Sequence, residues 1–294
     1  MNKKIFLFKK ITNFDKKLKM NSKKILFLII AVMLVYSCNN SEKNINTINN
    51  NQKKDLLAYD KAKEVLYSLP SPVETAMIIE NANTKFDDDY LLPIDNINFY
   101  ETSYSQATIL GVYSADLSYI SMFEQQQLAV KYLSNCKKLA ESLGVMEVIN
   151  DSIIDDLSKS IKRKEEVLEI ISNEYMKINS YLEDNNRQQL AALLVFGGWI
   201  EGLYISTKLV NNDISINPDL VQTIYDQKLS LEDLINLMKI FEDNPTFKTY
   251  TTYLLELNEI FNSIKTPMGQ KDFDLLQTKI LTIRTNIVKN SNNN

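Results

Sequence analysis

Apolar residues recur at three- and four-residue intervals along most of the chain, the spacing that gives a helix one buried face. Phe247, Tyr250, Leu254, Leu257, Phe261 and Ile264 form one such stripe, and Phe273, Leu276, Ile280, Ile283 and Ile287 form another. Leu231, Leu234, Met238 and Phe241 follow Ser230 in the same way, with Ser230 placed to cap them. Ile154, Ile161, Leu168, Tyr175 and Leu182 recur at heptad spacing, interleaved by Leu157, Ile171 and Ile178, with Lys164 as the polar exception. That seam predicts a long helix over 152–182 packed along a neighbour. Two stretches, 107–123 and 187–210, are apolar on nearly every side and predict helices central to the core.

The punctuation agrees. Pro70 stops a short amphipathic helix over 57–69, and Ser71-Pro72-Val73-Glu74 has the form of a capping box opening a second helix to about Asn83. A helix from Thr102 to Leu143, with room for a bend, follows the irregular stretch 84–99. Asn217-Pro218 and Asn244-Pro245 each open a later helix. No stretch alternates apolar and polar residues for the length of a strand. The expected fold is therefore an all-α bundle of eight or nine mostly antiparallel helices, with no sheet.

The N-terminal region has a different character. Met20-Asn-Ser-Lys-Lys24 is basic, and Ile25 to Tyr36 is an unbroken apolar run. As a helix this run would extend about 18 Å, short of the roughly 20 residues that span a bilayer. It has the length of the apolar core of a signal peptide. It ends in Val35-Tyr36-Ser37-Cys38, which resembles the lipobox of bacterial lipoprotein precursors. The resemblance implies cleavage between Ser37 and Cys38 and lipidation of Cys38, hence attachment to a membrane through acyl chains. Asn39, not Asp, follows the cysteine, so the outer membrane is the expected destination. The basic-apolar stretch before Met20 fits the resemblance less well, and translation from Met20 is expected.

Four segments are expected: 1–37 as signal peptide, 38–54 as lipidated cysteine and polar tether, 55–290 as the helical domain, and 291–294 as a polar tail. A subdivision of the helical domain is allowed near 211–217. The tether, Asn39 to Lys54, is Asn-rich and nearly free of apolar residues, too polar to fold alone.

Charge follows from this division. Residues 1–37 hold nine Lys and one Asp, and their removal leaves 24 basic against 36 acidic residues, a net charge near −12. Such a balance argues against nucleic acid as a partner. Lipidation of Cys38 leaves Cys136 with no disulfide partner, and the stripe Leu128, Tyr132, Cys136, Leu139, Leu143 places it on a helix face as a buried thiol. The chain contains no histidine. Ser-His-Asp and Cys-His nucleophile systems, His-ligated zinc and His-ligated haem are thereby excluded.

The remaining chemistry sits in two apolar helices. Gly198 and Gly202 are four residues apart, with Ala191 on the same face and Trp199 beside them. Since Gly costs roughly 1 kcal/mol in a helix interior, they imply close helix packing or a cleft walled by Trp199. Glu201 and Asp116 lie among apolar neighbours, where a carboxyl must find donors or take up a proton. Tyr104, Tyr113, Tyr119, Tyr204 and Arg187 are the candidate donors. The pair either ties two helices together or forms a polar site able to bind a cation or transfer a proton. Asp87-Asp88-Asp89 and the alternating oxygens of Asn211, Asp213, Ser215 and Asn217 lack the Gly and Glu positions of a calcium loop, so no metal is expected. No cofactor and no catalytic residue is expected either. The leading expectation is a membrane-anchored, non-catalytic binding domain for an envelope protein or a small ligand. The alternatives are a histidine-independent carboxylate and tyrosine enzyme, or a purely structural or assembly lipoprotein.

Overall fold

The computed structural model describes residues 84–148 and 164–290, all within one compact unit, Asp55–Asn294. The expected signal, lipidated cysteine, tether, polar tail, helices over 57–69 and 71–83, and first part of the 152–182 helix lie outside the described residues.

Among the described residues there are eight α-helices and no strand. They are α1 (Ser103–Met122), α2 (Gln126–Ser142), α3 (Lys164–Asp184), α4 (Gln188–Leu209), α5 (Pro218–Asp226), α6 (Lys228–Ile240), α7 (Pro245–Ser263) and α8 (Gln270–Asn290). The fold is an all-α multi-helix bundle. Ahead of α1, residues 84–101 form a strap with two 3-10 turns, Asp88–Tyr90 and Ile94–Phe99.

Helix starts follow the local chemistry. Thr102 and Ser105 cap α1 reciprocally, each hydroxyl accepting the other's backbone N–H at 3.1 Å. At α7, Asn244 accepts the Thr246 N–H at 2.9 Å, and Pro245 supplies a first position that needs no donor. Two boundaries differ from the sequence reading. The single helix expected over 102–143 is two, parted at Phe123–Gln125, where Glu124 takes a left-handed φ of 54°. Ser230 does not cap α6: the helix begins at Lys228, and the Ser230 hydroxyl turns back to the Gln227 carbonyl at 3.4 Å.

The core is organised on α1 and α4, the two helices apolar on all sides. Nearly every residue of each is buried. Helix α4 is long and apolar enough to cross a membrane, yet its most apolar window is wholly buried inside the protein. Glycine sets how closely the pair approaches. A Cβ on Gly111 would overlap the Leu194 carbonyl oxygen, and one on Gly197 would overlap that of Thr108. Each backbone occupies the space a side chain would need on the other.

Around this pair, α2 and α3 pack on α1, α8 and α3 pack on α4, and α6 packs on α7, which in turn packs on α8. The α7 and α8 stripes read from sequence are all buried. Each such Leu, Ile or Phe contributes about 1.5–3 kcal/mol through removal from water. Across 211–217, the Ile214 N–H donates to Gln270 at 3.2 Å and the Gln277 amide donates to the Thr207 carbonyl at 2.9 Å.

Candidate functional site

Asp116 stands midway along α1 and Glu201 midway along α4, and both are fully buried. The close approach of the two helices brings their carboxyl groups within hydrogen-bonding reach of one another. Arg284 of α8 completes the group. Its Nε donates to Glu201 Oε2 at 3.0 Å and its Nη2 to Oε1 at 2.9 Å, a bidentate fork on one carboxylate. The guanidinium carbon lies 4.7 Å from the centre of the Tyr204 ring, so the cation is held from two sides.

Asp116 has a different partner. Its Oδ2 accepts the Leu92 N–H from the strap at 3.0 Å, while Oδ1 is buried and meets no donor among the described residues. Burial first, and the Glu201 charge second, raise its pKa well above the ordinary carboxylate value, against the opposing pull of Arg284 and Leu92. At Arg284, burial disfavours the cation, but the charge and hydrogen bonds of Glu201 outweigh it, and the net shift is upward.

Four tyrosines surround these groups. Burial pushes the Tyr100 hydroxyl up to about 12, and it meets no hydrogen-bond partner among the described residues. Tyr113 donates to the Pro93 carbonyl at 2.9 Å and Tyr132 to the Leu92 carbonyl at 2.7 Å, so both hold the strap. Burial raises the pKa values of Tyr113, Tyr132 and Tyr204 as well. The site is thus a sealed polar cluster, able to store charge and a proton but without an open face towards solvent at either acid.

The sequence-derived candidates divide accordingly. Asp116, Glu201 and Tyr204 come together, and Tyr113 lies beside Asp116 but spends its hydroxyl on the strap. Gly198 lies at the α1 crossing, its backbone nitrogen close to Gly111. Gly202 is buried in α4, its carbonyl accepting the Ser206 hydroxyl at 2.7 Å. Trp199 is buried, and its indole N–H meets no acceptor among the described residues. Three proposed donors serve elsewhere: Tyr104 bonds Gln189, Tyr119 bonds the backbone of Asp87, and Arg187 bonds the Leu143 carbonyl at 2.6 Å. The donors in use, Arg284 and the Leu92 amide, escaped the sequence reading. Arg284 did leave a signal, since it falls four residues after Ile280 and three before Ile287, on the apolar face of its helix.

Other chemistry lies apart from this cluster. The Asp87, Asp88 and Asp89 carboxylates can approach within 4.8 Å of one another at the surface, with Asp87 already accepting the Asp89 N–H at 3.0 Å. Burial pushes the Cys136 thiol up to about 12, in a small cleft of about 40 Å³ beside Ser114 and Tyr175. A more open groove of about 320 Å³ lies between the N-termini of α1 and α7, lined by Thr102, Tyr104, Asn244, Thr246 and Tyr250. Cys38 and Ser37 lie outside the described residues. No family model, curated protein or solved structure matches the chain.

Proposed function

We propose that the chain is a lipid-anchored envelope protein whose helical domain binds a partner through its surface and performs no catalysis. The observation that carries the anchoring is the apolar run Ile25–Tyr36 leading into Ser37-Cys38 behind a basic segment. Two or three acyl chains at Cys38 give durable attachment, since each buried methylene contributes about 0.8 kcal/mol. The Asn-rich stretch 39–54 then serves as the tether, with the outer membrane as destination.

The non-catalytic reading rests on where the acids are. Asp116 and Glu201 have no exposed surface; both Glu201 oxygens are engaged by Arg284, and Asp116 Oδ2 by the Leu92 amide. A general acid or base has to reach its substrate within hydrogen-bond distance, and these two are occupied in tying α1, α4, α8 and the strap together. The surface remains for recognition. The groove between α1 and α7 offers hydroxyl, amide and aromatic groups to a small ligand or a peptide.

Growth with an alkyne-bearing fatty acid tests the anchor. Label should attach to the wild-type chain and disappear in Cys38→Ala. Equal labelling of both would overturn the assignment of Cys38. Purification of the labelled protein in mild detergent should yield a bound protein or small molecule. A turnover activity abolished by Asp116→Asn in a folded variant would overturn the non-catalytic reading.

A further inference from the structure

Charges at the buried acid pair do not balance. Two carboxyl groups face one guanidinium, and both acids are fully buried. Arg284 spends its fork on the two oxygens of Glu201. Asp116 Oδ2 is an acceptor, because the Leu92 N–H donates to it. Asp116 Oδ1 is buried with no hydrogen-bond partner among the described residues, and the Glu201 carboxyl group lies within reach of the Asp116 carboxyl group. An ionised Asp116 would therefore bury a bare anionic oxygen against a second anion, which is among the costliest arrangements in a protein interior.

Among the described residues, the groups facing the pair supply no second cation. They are Tyr100 from the strap, Tyr113 from α1, Tyr132 and Cys136 from α2, and Tyr204 from α4, besides Arg284 of α8. Burial raises the pKa of each tyrosine and of the thiol, so all five are neutral at ordinary pH. A proton on Oδ1 resolves the mismatch: the oxygen becomes a donor, and Glu201 is the acceptor in reach.

We propose that Asp116 and Glu201 hold one proton between them, carried on Asp116 Oδ1, and that this proton clasps the strap of residues 84–101 to the bundle. The strap has no backbone ladder at its centre. Side chains of α1 and α2 hold it instead: Asp116 at the Leu92 amide, Tyr132 at the Leu92 carbonyl, Tyr113 at the Pro93 carbonyl, and Asn135 at the Ile94 carbonyl at 2.9 Å. Loss of the proton sets two anions against one cation under this segment. Lifting the strap lets water reach Asp116 and relieves the repulsion.

The sign follows from linkage. Closed, Asp116 holds its proton above the ordinary carboxylate range; open, it returns to that range, so closing takes up a proton. The clasp is at full strength below the ordinary carboxylate pKa. It weakens as pH rises from there through the raised value, by about tenfold in the opening constant per pH unit.

Hydrogen exchange at the Leu92 amide, corrected for the intrinsic base-catalysed rate, reads this opening directly in the full-length protein in detergent micelles. Raising the pH from about 5 should lower wild-type protection by about tenfold per unit until Asp116 in the closed state loses its proton. Asp116→Asn keeps the acceptor for Leu92 and places an amide donor towards Glu201, so its protection should stay flat. Parallel slopes in the two proteins would overturn the proposal. Infrared spectra of the wild type provide a measurement that does not depend on the variant folding. A carbonyl stretch from a protonated carboxylic acid should be present at neutral pH, and its absence would equally overturn the proposal.

Discussion

Replacing Arg284 by Ala would leave the Glu201 carboxylate buried with no cation beside it. Removal of one partner from a buried pair typically costs about 3–5 kcal/mol, and the urea midpoint of Arg284→Ala should fall by the corresponding amount. Arg284→Lys should recover little, because one ammonium cannot reproduce a two-point fork held over the Tyr204 ring. Replacing both partners by apolar residues of similar volume, Glu201→Leu with Arg284→Met, should cost far less than Arg284→Ala alone, since no charge is stranded. A second expectation concerns Cys136. Burial and a thiol pushed up to about 12 make it a poor nucleophile, so the native protein should resist thiol reagents at about pH 8 and react only once unfolded. At this scale the sequence picked out two of the buried carboxyls, Asp116 and Glu201, but not Glu183, and it did not show what satisfied them. Glu201 and Asp116 stood out because their neighbours are apolar. Arg284 was legible only by its register on α8, and the Leu92 amide could not be found at all, since a backbone donor leaves no mark in residue type.

Between α1 and α4 the tolerance is set by backbone, not by side chains. Gly197→Ala would drive a methyl group into the Thr108 carbonyl, with backbone on both sides and no flexible side chain to give way. Overpacking of this kind costs about 1–3 kcal/mol, outweighing the roughly 1 kcal/mol that Ala gains over Gly in helix propensity. The net effect should be a lower denaturation midpoint, whereas Gly269→Ala, with only the Asp272 side chain nearby at 3.7 Å, should be close to neutral. The helices themselves were readable. Stripes on α7 and α8, the starts at Pro218 and Pro245, and the central place of the two all-apolar helices follow from periodicity and caps. What periodicity could not show was the interruption at Phe123–Gln125, where Glu124 turns left-handed without a glycine or proline to announce it. Nor could it single out Gly111 and Gly197 from the other glycines as the points of closest approach, because that depends on how two helices separated by some eighty residues cross.

The whole molecule joins an acidic helical bundle to an N-terminal region of opposite character. Nine of the 33 basic residues lie in the first 37 positions, Lys23 and Lys24 of them after the expected start at Met20, so processing at Cys38 would change the charge of the chain as well as its length. Native isoelectric focusing gives a direct check: the processed protein should run more acidic than the Cys38→Ala precursor, and co-migration of the two would speak against cleavage. Fold class was legible at this scale because a helix-patterned chain of this length has few other ways to bury its apolar residues. The task of the protein was not, because recognition surfaces lack the spacing rules that mark cores and caps.

The ion pair between Glu201 and Arg284 spans 83 positions, and this has a consequence for the order in which the chain is made. Synthesis delivers α1 and α4 well before α8, so a growing chain possesses both acids before it possesses their cation. Until Arg284 has emerged, the α1–α4 crossing can close only over a Glu201 carboxyl group that has no cation beside it. A chain cut short before α8 should therefore remain open and vulnerable to proteases.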